Sequence, residues 1–105
     1  MDSGREKRIN DRIVIDSGHI YDLSEGGVYI KTTDPRRLNA LVGLELRLSD
    51  REPPILVKGR VIRIIYEKGA PKKFPPGMAV KFEPLPKEIT DKLRVYIQSK
   101  KTGRS

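Results

Sequence analysis

The sequence predicts an all-β fold with one C-terminal helix, in which six short strands form an antiparallel β-barrel. Two patterns indicate this class. Between residues 13 and 83, apolar and polar residues alternate with the two-residue period of half-buried strands, and glycines and prolines interrupt the alternation at short intervals. After Pro86 the apolar residues recur instead at helical spacing. Strands followed by one amphipathic helix pack most simply as a barrel that the helix covers.

The strands are predicted from their apolar periods and from the turn residues between them. A β-branched run at 13–15 begins the series. Leu44, Leu46 and Leu48 are each followed by a polar residue, which gives the clearest alternation. Residues 38–42 fit either a turn or a short helical fragment. The predicted strands cover residues 13–15, 19–24, 28–33, 44–49, 55–66 and 77–83.

The fifth predicted strand, 55–66, does not keep one period throughout. Val57, Val61 and Arg63 share the same parity, so a regular strand would carry Arg63 on a mostly apolar face. A bulge or bend near Gly59 would remove this conflict, because glycine inside a strand often marks such an irregularity.

The C-terminal segment predicts a helix over about 86–100, on which Ile89 and Leu93 fall on the same face. Together with the strands, this helix defines a single domain over 13–105. The preceding residues, 1–12, are basic and have little apolar surface to pack, so we expect a flexible N-terminal arm.

The composition narrows the class of partner. The chain has 105 residues with 22 Lys and Arg against 14 Asp and Glu, and this net charge of +8 favours a nucleotide, a nucleic acid or an acidic protein surface. Cysteine is absent, which excludes disulfides and thiolate chemistry. No apolar run approaches the length of a bilayer span, and we expect a cytoplasmic protein without membrane insertion.

The stretch from Asp22 to Gly27 predicts a turn that carries two polar side chains. If the incoming strand continues to Ser24, Asp22 and Ser24 share one face, beside backbone that Gly26 and Gly27 leave uncovered. The carboxylate can accept hydrogen bonds from the N1 and N2 donors of guanine, and the hydroxyl can donate to a phosphate oxygen. The same pattern also fits an ordinary turn whose side chains satisfy backbone donors.

Two arginines four residues apart, Arg8 and Arg12, precede the first strand. Guanidinium groups bind phosphate and the O6/N7 edge of guanine through paired donors, and they stack on base faces. Together with the turn, the arginines favour a negatively charged guanine nucleotide as the ligand.

The chain thus combines Arg8-x-x-x-Arg12 with a later motif that reads Asp22-x-Ser24-x-x-Gly27, and a Gly-Met-Ala-Val-Lys-Phe strand follows near the end. In this order they resemble the PilZ domain family, in a single-domain member. The resemblance implies a six-stranded PilZ-type barrel that binds the bacterial second messenger cyclic di-GMP. It implies that Arg8 and Arg12 hold phosphate and guanine from a wrapping arm. It also implies that Asp22 and Ser24 contact guanine or phosphate, and that Gly27 shapes the turn.

Two further residues enter the predicted site through this resemblance. In the family, the residue before the first motif arginine, here Lys7, influences how many ligand molecules stack in the site. Gly26 completes the candidate set. The chain departs from the family pattern at Ala79, where glycine is common, and in the nine residues between Arg12 and Asp22, which are fewer than in many members.

We therefore expect a cyclic di-GMP receptor whose arm orders on binding and signals to an unidentified protein partner. An enzyme is not expected, because the sequence offers no convergent acid/base or metal cluster and His19 is the single histidine. No cofactor other than the ligand is expected. One alternative is a PilZ-like adaptor that acts by protein contacts without the dinucleotide. Another is a basic barrel that binds RNA or single-stranded DNA, which the few aromatic residues disfavour.

Overall fold

The computed structural model describes residues 12–66 and 75–103, and for 101–103 only the backbone. The predicted arm therefore lies outside the described residues, except for Arg12. The elements in chain order are β1 (Arg12–Asp16), a 3-10 turn (Ser17–His19), β2 (Ile20–Leu23), β3 (Gly27–Lys31), β4 (Leu41–Arg47), β5 (Ile55–Ile65), β6 (Gly77–Phe82) and α1 (Lys87–Gly103).

The six strands form one sheet in the order β1-β4-β5-β6-β3-β2. Although β1 and β2 lie at opposite edges of this order, only the three residues Ser17–His19 separate them in the chain. The sheet must therefore curl until its two edges approach each other, which gives a partly closed barrel. The predicted architecture, six strands in a barrel with a C-terminal helix, is confirmed.

One pairing differs from the expected antiparallel pattern. β1 runs parallel to β4, and the other four pairs are antiparallel, so the sheet is mixed. The reason lies in the connection: β1 joins the sheet beside β4, which it does not precede directly in the chain. Its direction is therefore not fixed by a hairpin.

The core fills the concave side of the sheet. Alternate residues of the strands point inward, as the two-residue period predicted, and α1 adds Leu93, which is fully buried, and Ile89, which is partly buried. The helix thus covers the barrel through the apolar face predicted for it. The buried core consists of Ile15, Val28, Ile30, Val42, Leu44, Leu46, Ile55, Val57, Val61, Met78, Val80, Phe82 and Leu93.

The irregularity predicted for the fifth strand occurs three residues later than Gly59. The register of β5 on β6 shifts between Val61 and Arg63, so Ile62 is the extra residue of a bulge. Gly59 has a different role: a Cβ there would lie 2.5 Å from Cγ1 of Val80, so glycine lets the two strands approach. The bulge turns Arg63 outward and returns Ile64 to the core side.

One smaller point of the prediction is settled by the backbone. Residues 38–42 contain a turn, not a helical fragment: Asn39 has a left-handed φ of 71° and β4 begins at Leu41. Within residues 12–66 and 75–103, no helix is both long enough and apolar enough to cross a membrane.

Candidate functional site

The predicted turn lies between β2 and β3 and is closed by Ser24. β2 ends at Leu23, so Ser24 is not the strand residue that would share a face with Asp22. Its Oγ accepts hydrogen bonds from the amides of Gly26 and Gly27, both at 3.2 Å, and donates to the Gly27 carbonyl at 3.3 Å. The hydroxyl therefore acts as a turn-stabilising group, as the alternative interpretation of this motif proposed.

Asp22 remains available as an acceptor. It is exposed on β2, directly opposite Tyr29 of β3, and its carboxylate makes no hydrogen bond or ion pair with any residue that the structure describes. It also borders a cleft of about 470 Å³ between β2 and α1, to which Tyr21 and Tyr96 contribute aromatic walls. Asp22 therefore offers a carboxylate acceptor at the edge of a concave surface.

The two glycines of the turn have unequal roles. A Cβ at Gly27 would lie 2.5 Å from the carbonyl oxygen of Val80, so only glycine allows β3 to pair closely with β6 here. A Cβ at Gly26 would meet nothing within 4 Å. Gly26 instead contributes its carbonyl, which accepts a hydrogen bond of 2.9 Å from the amide of Phe82. The turn is thereby attached to the end of β6.

An ion pair joins the turn to the C-terminal helix. The guanidinium of Arg94 donates to both carboxylate oxygens of Glu25, at 3.0 and 3.1 Å. These hydrogen bonds hold the pKa of Glu25 below its ordinary value of 4.5, and they raise the pKa of Arg94. Both side chains stay about half exposed. Sequence reasoning missed this contact, because 69 residues separate the partners and no local pattern links them.

The outer face of the sheet beside the turn is cationic. The register places Asp22, Tyr29, Ala79 and Arg63 in one row across β2, β3, β6 and β5. The adjacent row runs from Gly27 through Lys81 to Arg60, and these two cations are exposed. The prediction of the site omitted Arg60, Arg63 and Lys81. The two-residue period of β5 was the available signal, but it needed the position of the bulge to be read correctly.

The aromatic residues next to Asp22 are held in place. The hydroxyl of Tyr29 donates a 2.6 Å hydrogen bond to the carbonyl of Pro75, and the rings of Tyr29 and Tyr21 meet edge to face with centroids 5.7 Å apart. Burial raises the pKa of Tyr29, an effect that the nearby positive charge of Arg63 partly offsets. Tyr21 keeps 46% of its surface exposed, which leaves an aromatic surface beside the motif carboxylate.

Of the predicted arm residues the structure describes Arg12, whose ion pair lies on β4 and not at the turn. Arg12 begins β1 opposite Gly43, and its guanidinium lies 3.5 Å from the carboxylate of Glu45, which also binds Arg47 at 2.8 Å. No hydrogen bond or ion pair connects Arg12 with Asp22 or Ser24 in the described structure. The remaining two arm candidates, Lys7 and Arg8, lie outside the described residues. The structure therefore brings together the four residues of the turn: Asp22, Ser24, Gly26 and Gly27.

The described residues hold no group of three or more His, Cys, Asp or Glu side chains suited to a metal ion.

Among curated proteins, no match to this chain is found. The sequence model of the PilZ domain family matches residues 8–99 of this chain. The matched range includes both motifs and extends through most of the C-terminal helix. With the barrel and its turn in place, and with the match extending over most of its 105 residues, this chain belongs to the PilZ domain family.

Proposed function

We propose that this protein is a cytoplasmic bacterial receptor for cyclic di-GMP, which signals occupancy of its site to a protein partner. Membership of the PilZ domain family supports this proposal, because domains of the family are cyclic di-GMP receptors and adaptors and not enzymes. One observation carries the proposal for this chain. The Asp22–Gly27 motif forms an ordered turn, and the carboxylate of Asp22, which has no partner among the described residues, lies next to an exposed cationic face.

The proposed roles follow from the chemistry of each side chain. Asp22 accepts hydrogen bonds from the N1 and N2 donors of guanine. Ser24 Oγ already accepts hydrogen bonds from two amides, so its hydroxyl can act toward a phosphate oxygen as a donor. At present the hydroxyl donates to the Gly27 carbonyl at 3.3 Å, which is the longest of its three hydrogen bonds. Gly26 lets the ligand approach the backbone, because its position is open. Gly27 keeps the turn against β6.

The arm supplies the second part of the proposed site. Arg8 and Arg12 bind phosphate and guanine through paired donors, and Lys7 influences how many ligand molecules stack. Arg12 is 55% exposed beside Glu45, and at 3.5 Å this ion pair is longer than the one between Glu45 and Arg47. Glu45 is largely buried, but it keeps its shorter contact with Arg47, so Arg12 can exchange its own contact for a ligand phosphate without leaving that carboxylate unpaired. Binding and ordering of the arm then become one event, and the changed surface is what the partner recognises.

Titration calorimetry with cyclic di-GMP, GTP and a short single-stranded oligonucleotide, each at two salt concentrations, tests the proposal. Saturable binding of cyclic di-GMP alone supports it. Binding of none of the three would leave the family's other mode, an adaptor that works through protein contacts only. Oligonucleotide binding that weakens steeply with salt would favour the nucleic-acid alternative, since release of counterions gives that dependence.

A further inference from the structure

The cationic row beside the turn contains a cross-strand pair of like charges. Arg60 of β5 lies directly opposite Lys81 of β6, and both side chains point outward, because their neighbours along each strand are buried. Directly opposite residues have Cβ atoms about 5 Å apart, so both head groups can reach a single small anion. On the other side of Lys81 lies Gly27, which has no side chain to cover it.

No carboxylate in the described part of the chain neutralises this pair. Four other cations of the described structure have such partners: Arg12 and Arg47 pair with Glu45, Lys87 with Asp91, and Arg94 with Glu25. Arg60 instead donates from Nη1 to the carbonyl of Asn39 at 2.9 Å. This bond fixes one nitrogen of the guanidinium on the β4 side of Arg60, so an anion would be reached by its other donors and by the long, flexible side chain of Lys81.

Such an arrangement has a cost in the unliganded protein. Like charges directly opposite each other in a sheet destabilise it, and Arg63 in the adjacent row adds a third positive charge. An anion bound between Arg60 and Lys81 would reverse the sign of the interaction, because each cation would then face a negative charge. Unpaired charge that costs stability is typical of a binding surface.

We propose that Arg60 and Lys81 form a phosphate-binding site on the outer face of the sheet, and that it holds one phosphate of the ligand whose guanine contacts Asp22. That second clause rests on the proposed function; the affinity for phosphate itself does not. In the same row, Lys81 lies one strand and Arg60 two strands from Gly27, so a ligand bound at the turn can extend along the row to them. Because both cations stand on ordered strands, they bind phosphate without the ordering that the arm requires.

The test compares Lys81→Gln with Lys92→Gln, which removes the same charge from the exposed side of α1. Thermal unfolding is measured at low salt without ligand and with increasing inorganic phosphate. We expect Lys81→Gln to raise the unfolding midpoint of the free protein and to weaken its stabilisation by phosphate. We expect Lys92→Gln to leave the response to phosphate as in the wild type. The proposed phosphate site is overturned if phosphate stabilises Lys81→Gln as much as the wild type. It is also overturned if Lys92→Gln loses as much of this stabilisation as Lys81→Gln does.

Calorimetry with cyclic di-GMP adds the part that depends on the proposed function. Because Lys81→Gln loses one charge-assisted hydrogen bond, its Kd for cyclic di-GMP should rise about tenfold to a hundredfold. The Kd of Lys92→Gln should equal that of the wild type. If wild-type protein responds to phosphate but does not bind cyclic di-GMP, the anion site stands and the proposed function fails. If wild-type protein binds cyclic di-GMP and Lys81→Gln binds it equally well, the site fails and the proposed function stands.

Discussion

Replacing Gly27 by alanine tests why the turn must end on glycine. The added Cβ would lie 2.5 Å from the carbonyl oxygen of Val80 and 3.4 Å from Cα of Lys81. Because the obstacle is backbone, β3 and β6 must separate at this pair. Overpacking of this kind costs about 1–3 kcal/mol of the free energy of unfolding. In a domain of this size, each kcal/mol lowers the unfolding midpoint by about 4–8 °C.

The adjacent glycine provides the matched control. Alanine at Gly26 meets no atom within 4 Å, and the backbone there does not have a positive φ. Gly26→Ala should therefore be neutral or should stabilise by about 0.4–1 kcal/mol, since it restricts the unfolded chain. Urea and thermal denaturation followed by circular dichroism measure both variants. A wild-type midpoint for Gly27→Ala, or an equal loss in Gly26→Ala, would refute the steric argument.

Three further predictions concern the arm, the helix contact and the buried hydroxyl. Arg8→Ala or Arg12→Ala should nearly abolish binding of cyclic di-GMP, and wild-type affinity by calorimetry in either variant would contradict the role of the arm. Because Arg94 lowers the pKa of Glu25, the pair stabilises the fold above pH 4.5 and ceases to do so as pH falls through the lowered pKa. NMR titration of the Glu25 carboxyl should show this, and Arg94→Gln should return the midpoint to about 4.5; an unchanged titration would exclude the contact. Tyr29→Phe removes a hydrogen bond to a backbone carbonyl and should cost about 0.5–1.5 kcal/mol in urea denaturation, whereas unchanged stability would show that this bond contributes nothing.

The strands and the helix could be predicted because each buries one face, so apolar residues recur in the local sequence with the period of that element. Leu44 and Leu46 alternate with polar residues and are buried in β4, and Ile89 and Leu93 recur at helical spacing and pack against the core. The parallel pairing of β1 with β4 could not be predicted in this way. Period-two alternation shows which residues face inward, but it does not reveal the direction of a neighbouring strand.

The motif turn shows the same limit at the scale of single side chains. Its position between two strands was predicted, but the role of Ser24 depends on whether β2 continues through it. Because β2 ends one residue earlier, the hydroxyl turns toward the amides of Gly26 and Gly27. The contact between Glu25 and Arg94 and the opposition of Arg60 to Lys81 arise only from tertiary structure. The identities of two residues do not show that strand register will place them opposite each other.

The two parts of the proposed site differ in what binding costs. The turn is complete without ligand, since Ser24 closes it, Gly26 attaches it to β6 and Glu25 attaches it to α1. A ligand that contacts the turn therefore orders little. In contrast, Arg12 already belongs to β1, and if the four arm residues 8–11 become ordered on binding, this would cost about 4–8 kcal/mol, against a return of about 6–12 kcal/mol from four charge-assisted hydrogen bonds.

Because these two amounts nearly cancel, the arm by itself adds specificity and a change of surface more than affinity. Net affinity must then come from groups that are fixed before the ligand arrives: the carboxylate of Asp22, and Arg60 and Lys81 on their strands. At the proposed phosphate site, the stability lost to like charges in the free protein would be recovered when phosphate lies between Arg60 and Lys81. If the proposed function holds, the sheet would determine how tightly cyclic di-GMP binds, and the arm would determine what the partner detects.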